Sequence, residues 1–286
     1  KKGNLIVAKD LYNKILNINP IHANAHCNLG VVLKELGERE KAKNCYEKAI
    51  EISPNYADAH NNLGIVFQEM GEREKAIIFY QKAIDIQPNH ADAHNNFGTV
   101  LKELGKHEKA IKWYQKVIEI QPNHIGAYNN LGIVYQELGD TNKAIDFYQK
   151  VIQLNPKNNS AYYNLGKAYM DLGDIKKSIG FYQKAIDIQP NHADAHNNLG
   201  IAFKKLREFK KAKNCYDKVI EIEPHHIKAH INLGNVLKKL GEFQKAKNCY
   251  EKAIKIQPNY AEAHNNLGGI LKQLGEYQKA KSYFEK

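Results

Sequence analysis

ADAHNNLGIVFQEMGEREKAIIFYQKAIDIQPNH, residues 57–90, holds the pattern that decides the architecture of this chain. Its first half, Ala59 to Met70, places Leu63, Val66 and Phe67 at helical spacing, and Gly71 ends the run. Glycine suits the left-handed residue after a helix because it lacks a Cβ. The second half, Glu72 to Ile86, carries Ala76, Ile77, Tyr80, Ala83 and Ile84 as another helical stripe. Gln87-Pro88-Asn89 then stops it, since proline cannot continue a helix and restricts the residue before it. The segment reads as two antiparallel helices joined by a tight turn. Small residues at Gly64, Ala76 and Ala83 mark where the two approach closely.

Outward from this stretch the pattern recurs with a period of 34 residues. Pro20, Pro54, Pro88, Pro122, Pro156, Pro190, Pro224 and Pro258 are all the prolines in the chain. Gly30, Gly64, Gly98, Gly132, Gly166, Gly200, Gly234 and Gly268 keep the same step. A second glycine series runs through Gly37, Gly71, Gly105, Gly139, Gly173, Gly241 and Gly275, with Arg207 in the missing place. A fixed period of this length predicts a solenoid, in which each repeat buries its apolar face against its neighbours. Arg207 predicts a strained turn, because a side chain at positive φ is sterically disfavoured.

The spacing of Leu63-Gly64, Ala76, Tyr80, Ala83 and Pro88 resembles the signature of the tetratricopeptide repeat family. The resemblance covers essentially the whole chain and implies an all-α fold: an α-solenoid, a right-handed superhelix of helix-turn-helix repeats. In that register the repeats are 23–56, 57–90, 91–124, 125–158, 159–192, 193–226 and 227–260. Residues 1–22 read as a half repeat, the second helix only, and 261–286 as a truncated repeat, all in one solenoid. The family's aromatic at the fourth position is here histidine (His26, His60, His94, His196, His230, His264) or tyrosine (Tyr128, Tyr162). Neither end carries a polar cap of the kind solenoids use, which suggests a piece of a longer protein or ends that stack on copies of the chain.

The same resemblance places first helices on the concave face, where the sixth position of every repeat is asparagine. These are Asn28, Asn62, Asn96, Asn130, Asn164, Asn198, Asn232 and Asn266, and five repeats double them with Asn61, Asn95, Asn129, Asn197 or Asn265. Asparagine is a mediocre helix former, but its amide both donates and accepts hydrogen bonds. Layers on the order of 10 Å apart match about three residues of an extended peptide. The row therefore suits a peptide-binding groove that reads backbone; equally, each amide could bond a neighbouring helix and only shape the stack. The arrangement resembles the concave asparagine ladder in the superhelical arm of the O-linked N-acetylglucosamine transferases. That resemblance implies a scaffold for protein–protein interaction, possible in a substrate-recruiting arm of a larger protein. End-to-end self-association into longer superhelices or filaments is the alternative.

Charge adds a direction to the groove. The net formal charge is +11, and residues 193–286 hold 18 Lys and Arg against 10 Asp and Glu. At the thirteenth position Glu35, Glu69, Glu103, Glu137 and Asp171 give way to Lys205, Lys239 and Gln273, beside Lys204, Lys238 and Lys272. A protein or peptide ligand with acidic segments toward the C-terminal repeats is the expectation; a solvated lysine face is the alternative. The two-carboxylate clamp of chaperone-binding members does not fit, because the fifth position is never basic and the sixth is always asparagine.

Other classes are poorly served by the sequence. The histidine pairs His22/His26, His90/His94, His192/His196 and His226/His230 are four apart, yet no third ligand recurs beside them, so no metal is expected. Cys45, Cys215 and Cys249 read as packing, and Cys27 as a substitute for asparagine. No phosphate loop or nucleophile motif is found, so neither an enzyme nor a cofactor is predicted for this segment. The basic excess lacks the aromatic interleaving of nucleic-acid surfaces, and no run is long and apolar enough for a membrane span. With no export signal and no disulfide framework, the cytoplasm is the expected compartment.

Overall fold

The computed structural model describes residues 2–284, and the helices fall where the two glycine series and the prolines divide the chain. A first helix, α1 (Lys2–Ile18), precedes the hairpins. These are α2 (Ala23–Glu35) with α3 (Arg39–Ile52), α4 (Ala57–Glu69) with α5 (Arg73–Ile86), and α6 (Ala91–Glu103) with α7 (His107–Ile120). Next come α8 (Ile125–Glu137), α9 (Thr141–Leu154), and the pair α10 (Asn159–Asp171) and α11 (Ile175–Ile188). The last pairs are α12 (Ala193–Lys205) with α13 (Phe209–Ile222), α14 (Ile227–Lys239) with α15 (Phe243–Ile256), and α16 (Ala261–Gln273) with α17 (Tyr277–Phe284). No strand occurs among the described residues. The helices gather into two compact units, Lys1–Asp140 and Thr141–Lys286.

Each hairpin closes on one contact. The ring of Tyr46, Tyr80, Tyr114, Tyr182, Tyr216 or Tyr250 is fully buried against the glycine at the eighth position of its own repeat. A Cβ on Gly64 would lie 2.6 Å from Tyr80 Cε1, and one on Gly166 would lie 2.5 Å from Tyr182. A methyl group there must displace a buried ring, an overpacking that ordinarily costs about 1–3 kcal/mol. Alanines at the closest crossings, such as Ala42, Ala76, Ala110 and Ala212, are completely buried. Within each unit, successive first helices (α2, α4, α6, α8; α10, α12; α14, α16) also pack on one another. Second helices do not pack on each other comparably among the described residues, so the first helices form the tighter side of each stack.

The turns inside the hairpins repeat one set of backbone bonds, except at α10–α11, where Ile175 N donates to Gly173 O at 2.9 Å in place of the second bond. In the second repeat Gly71 N donates to Gln68 O at 3.0 Å and Glu72 N to Phe67 O at 2.9 Å, with Gly71 at φ +82°. These satisfy carbonyls that the helix end leaves open. Arg207 keeps the same bonds, to Lys204 O at 3.0 Å, while Glu208 N reaches Phe203 O at 2.9 Å. It does so at φ 60°, the only non-glycine positive φ among the described residues. The strain expected of this position is therefore present, and the motif imposes it.

Arg207→Gly is expected to stabilise the protein by about 1 kcal/mol, the usual penalty for a side chain in the left-handed region. Thermal unfolding followed by circular dichroism checks this; a lower melting temperature would show that the arginine side chain contributes more than its backbone loses.

Candidate functional site

The sixth-position asparagines line the first-helix side, and the helical rotation explains why. Gly64 faces the hairpin partner; two residues earlier, Asn62 is turned by about 200° around the axis. Asn62, Asn96 and Asn130 are half-buried, as are Asn164, Asn198, Asn232 and Asn266, while Asn28 is exposed.

Most of these amides are bonded across repeats, whereas Asn28 and Asn266 make no side-chain hydrogen bond among the described residues. Asn96 Nδ2 donates to Asn61 Oδ1 at 3.0 Å, and Asn130 Nδ2 to Asn95 Oδ1 at 3.1 Å. Asn62 Nδ2 donates to Cys27 Sγ at 3.6 Å, so Cys27 does occupy the place of an asparagine. In the C-terminal unit, Asn198 Nδ2 donates to Tyr163 Oη at 3.1 Å and Asn232 Nδ2 to Asn197 Oδ1 at 3.4 Å. Each bond crosses from one first helix to the fifth position of the preceding one, a separation of 35 residues. The doubled asparagines thus belong to a relay between repeats. The clue in the sequence was the recurrent Asn-Asn pair, whose partner lies a whole repeat away.

The relay leaves individual rungs with different free capacity. Asn198 Oδ1 accepts from Asn197 Nδ2 at 3.3 Å, and Asn232 Oδ1 accepts from Lys204 Nζ at 3.3 Å. By contrast, Oδ1 of Asn62, Asn96 and Asn130 accepts nothing among the described residues, and each Nδ2 keeps a second proton. These three amides retain one acceptor and one donor apiece on the half-buried face.

Charged groups along the thirteenth position behave unequally as well. Arg39 Nε bonds Glu69 Oε2 at 3.0 Å, and Arg73 Nε bonds Glu103 Oε2 at 2.9 Å, so these acids are partly neutralised by the preceding repeat. Lys205 and Lys239 are exposed with no ion-pair partner among the described residues. Positions that would partner them, Ile175 and Phe209, are apolar. Lys204 and Lys238 instead reach across to the next first helix, at Asn232 and Gly269.

Histidines that looked like metal pairs have separate structural tasks. At the fourth position, Nε2 of His60, His94 and His230 lies 2.9, 2.8 and 2.9 Å from the carbonyl oxygens of Pro54, Pro88 and Pro224. His26, His196 and His264 make the same bond to Pro20, Pro190 and Pro258, and Tyr128 Oη donates likewise to Pro122. Histidine is the N-cap of five first helices: Nδ1 of His22, His90, His124, His192 and His226 accepts from the backbone N–H three residues on at 3.0–3.4 Å, while Tyr56, Asn158 and Tyr260 hold that place before α4, α10 and α16. No group of three potential metal ligands occurs among the described residues. The four cysteines are free; burial pushes the Cys215 and Cys249 thiols up to about 11, which makes them poor nucleophiles.

Comparison with known proteins now gives the class. Tetratricopeptide repeat family models match residues 22–89, 89–157 and 193–226, with further matches at 147–179 and 215–248. A TPR repeat model matches 166–206 and 234–275. The chain belongs to the tetratricopeptide repeat family, whose members are generally non-catalytic scaffolds. No curated protein matches it. Among solved structures, the APC/C hetero-tetramer Cut9–Hcn1 aligns with 93% of this chain and 52% of that one, at 21% identity and TM-score 0.69. That likeness is one of fold, and this chain spans about half the length of the chain it matches. YrrB, described as a TPR protein with an unusual peptide-binding site, aligns at 26% identity over 64% of this chain and 95% of that one, TM-score 0.54. MamA aligns at 30% identity over 58% and 96%, also with TM-score 0.54. Among the described residues, no helix is long and apolar enough to cross a membrane.

Burial holds the pKa of His60, His94, His192 and His230 below the ordinary 6.5. The unfolded chain takes up protons on these groups at a higher pH than the folded chain does. Stability is thus full above pH 6.5 and falls as the pH drops below it. Melting temperature should decline between pH 7.5 and pH 5 at constant salt. A flat profile would exclude this coupling.

Proposed function

We propose that the first-helix face of the N-terminal unit holds an extended peptide by its backbone, with Asn62, Asn96 and Asn130 as the rungs. One observation carries the reading: these three amides are fixed by the relay and still offer an unoccupied carbonyl oxygen and N–H. A peptide bond offers the complementary pair, and pairing with it requires no particular side chain. The peptide-binding site named for YrrB supports a scaffold of this kind. Lys205 and Lys239 in the C-terminal unit supply unpaired positive charge for acidic segments of a ligand. A role as the recruiting arm of a longer protein accords with the resemblance to the transferase arms.

Asn62→Ala/Asn96→Ala/Asn130→Ala is expected to weaken binding of unstructured peptides at least about tenfold, since each lost hydrogen bond is worth roughly 0.5–1.5 kcal/mol. Fluorescence anisotropy with peptides of differing side chains should show the same loss for all, with far-UV circular dichroism unchanged. In a parallel titration, Lys205→Glu/Lys239→Glu should weaken only acidic peptides, and more so at low salt. Equal affinity in the alanine variant would remove the ladder.

A second reading, end-to-end self-association, rests on the apolar face that α1 exposes through Ile6, Val7, Leu11 and Ile15. Such a face favours burial against another helix. Sedimentation velocity between micromolar and hundred-micromolar protein should then show concentration-dependent growth. A monomer throughout would dismiss it.

A further inference from the structure

The second-helix face carries a lysine at the twenty-sixth position of each repeat, among them Lys48, Lys82, Lys116, Lys218 and Lys252. Three residues on, one turn away, stand Glu51, Asp85, Glu119, Gln153, Asp187 and Glu221, and then Lys255. The glutamates pair with their lysines: Lys48 Nζ–Glu51 Oε2 is 2.7 Å, Lys116–Glu119 2.9 Å and Lys218–Glu221 2.8 Å, while Asp85 and Asp187 accept from Gln81 and Gln183. On α15 a lysine follows a lysine, and neither has an ion-pair partner among the described residues. Like charges at this spacing repel. A second departure lies in the turn after α13. Asn55, Asn89, Asn123, Asn191 and Asn259 follow their prolines (Lys157 follows Pro156), whereas His225 follows Pro224.

Those two departures, some 30 residues apart in sequence, meet at one groove within the C-terminal unit. Its volume is about 600 Å³, in the range of sites that hold small ligands or short peptide segments. Ile220 of α13, Ile256 of α15 and Pro224 form apolar walls, and Lys252, Lys255 and His225 stand exposed at the rim. His230, 3% exposed and bonded through Nε2 to Pro224 O, closes one end. Comparable grooves on this unit hold their own counter-charges. The one lined by Gln183 and Lys218 has Lys218 paired with Glu221, and the one beside Lys150 and Lys184 includes Asp146.

We propose that the groove between α13 and α15 binds an acidic segment of a partner protein in which an Asp or Glu lies beside an apolar side chain. The carboxylate sits between Lys252, Lys255 and His225, where it relieves the repulsion of the two lysines and can accept a hydrogen bond from the imidazole, and the apolar group rests on Ile220 and Ile256. A simple anion leaves those walls unused. A purely apolar ligand leaves three polar groups without a counterpart. A nucleic acid needs positive charge along a path, and the neighbouring Lys218 is already neutralised.

The test uses the intact chain and a capped six-residue peptide of alternating glutamate and leucine, followed by ¹⁵N NMR. The comparison protein is His225→Asn/Lys255→Glu, which installs the residues that other repeats carry and should keep the melting temperature. Saturable shifts are expected at the amides of 251–256 and the ring of His225. The variant should bind at least tenfold more weakly at that site, while Lys205→Glu/Lys239→Glu retains it. The same peptide with lysine for glutamate, and acetate alone, should give no saturable shift there. Equal binding by the variant, or shifts confined to the first helices, overturns the proposal. Displacement by a single-stranded oligonucleotide that binds the same residues more tightly would reassign the groove to nucleic acid.

Discussion

A tyrosine ring packed against a glycine sets the distance between the two helices of a hairpin, and the inner face depends on that distance. Rings such as Tyr80 and Tyr114 are wholly buried, and the glycines opposite leave no space for one further carbon. Because this contact fixes the rotation of the first helix, it also fixes what the opposite side presents. The sixth position is turned away from the ring and toward the neighbouring first helices. The fourth position meets the preceding proline's carbonyl, so successive hairpins are keyed as each one closes. Packing within a repeat and bonding between repeats are thus one geometric problem.

Much of this was legible from the sequence because the period and its punctuation are local signals. Helix limits follow Gly71 and Pro88 and their equivalents, and the positive φ at Arg207 follows from its place in a glycine series. What could not be read was the partner of each polar side chain. Asn96 looked like a rung open to a ligand, and only the fold shows Asn61 Oδ1 within 3.0 Å of it. Asp58 and Asp92 stand in the first turns of α4 and α6, where their charge suits the helix dipole, and their oxygens also meet Nε2 of the next capping histidine, His90 at 3.0 Å and His124 at 3.4 Å. Such pairs lie 32 or 35 residues apart. Helical periodicity does not reach that far, and it takes the stacking of repeats to bring them together.

Asparagine in all eight first helices runs against helix propensity, so it has to be offset by something the fold gains. The relay between repeats is part of that gain, but it uses only one donor per rung in the N-terminal unit. Were the amides there for stacking alone, a donor without a spare carbonyl would serve. The C-terminal unit makes the contrast: Lys204 closes the oxygen of Asn232 from within the protein.

On the proposed ladder, fixing a rung before a ligand arrives has a further physical consequence. A long flexible side chain loses rotamer freedom when it binds, roughly 0.5–1.5 kcal/mol for each one immobilised. Asn62, Asn96 and Asn130 are already held through Nδ2, so a bond formed at Oδ1 orders little that was not ordered before. The same tether determines which way the amide points, since exchanging oxygen and nitrogen would set Oδ1 of Asn96 against Oδ1 of Asn61. A row of amides with one orientation presents its acceptors in one sense. A chain laid along it would find its N–H groups matched when it runs one way and mismatched when it runs the other.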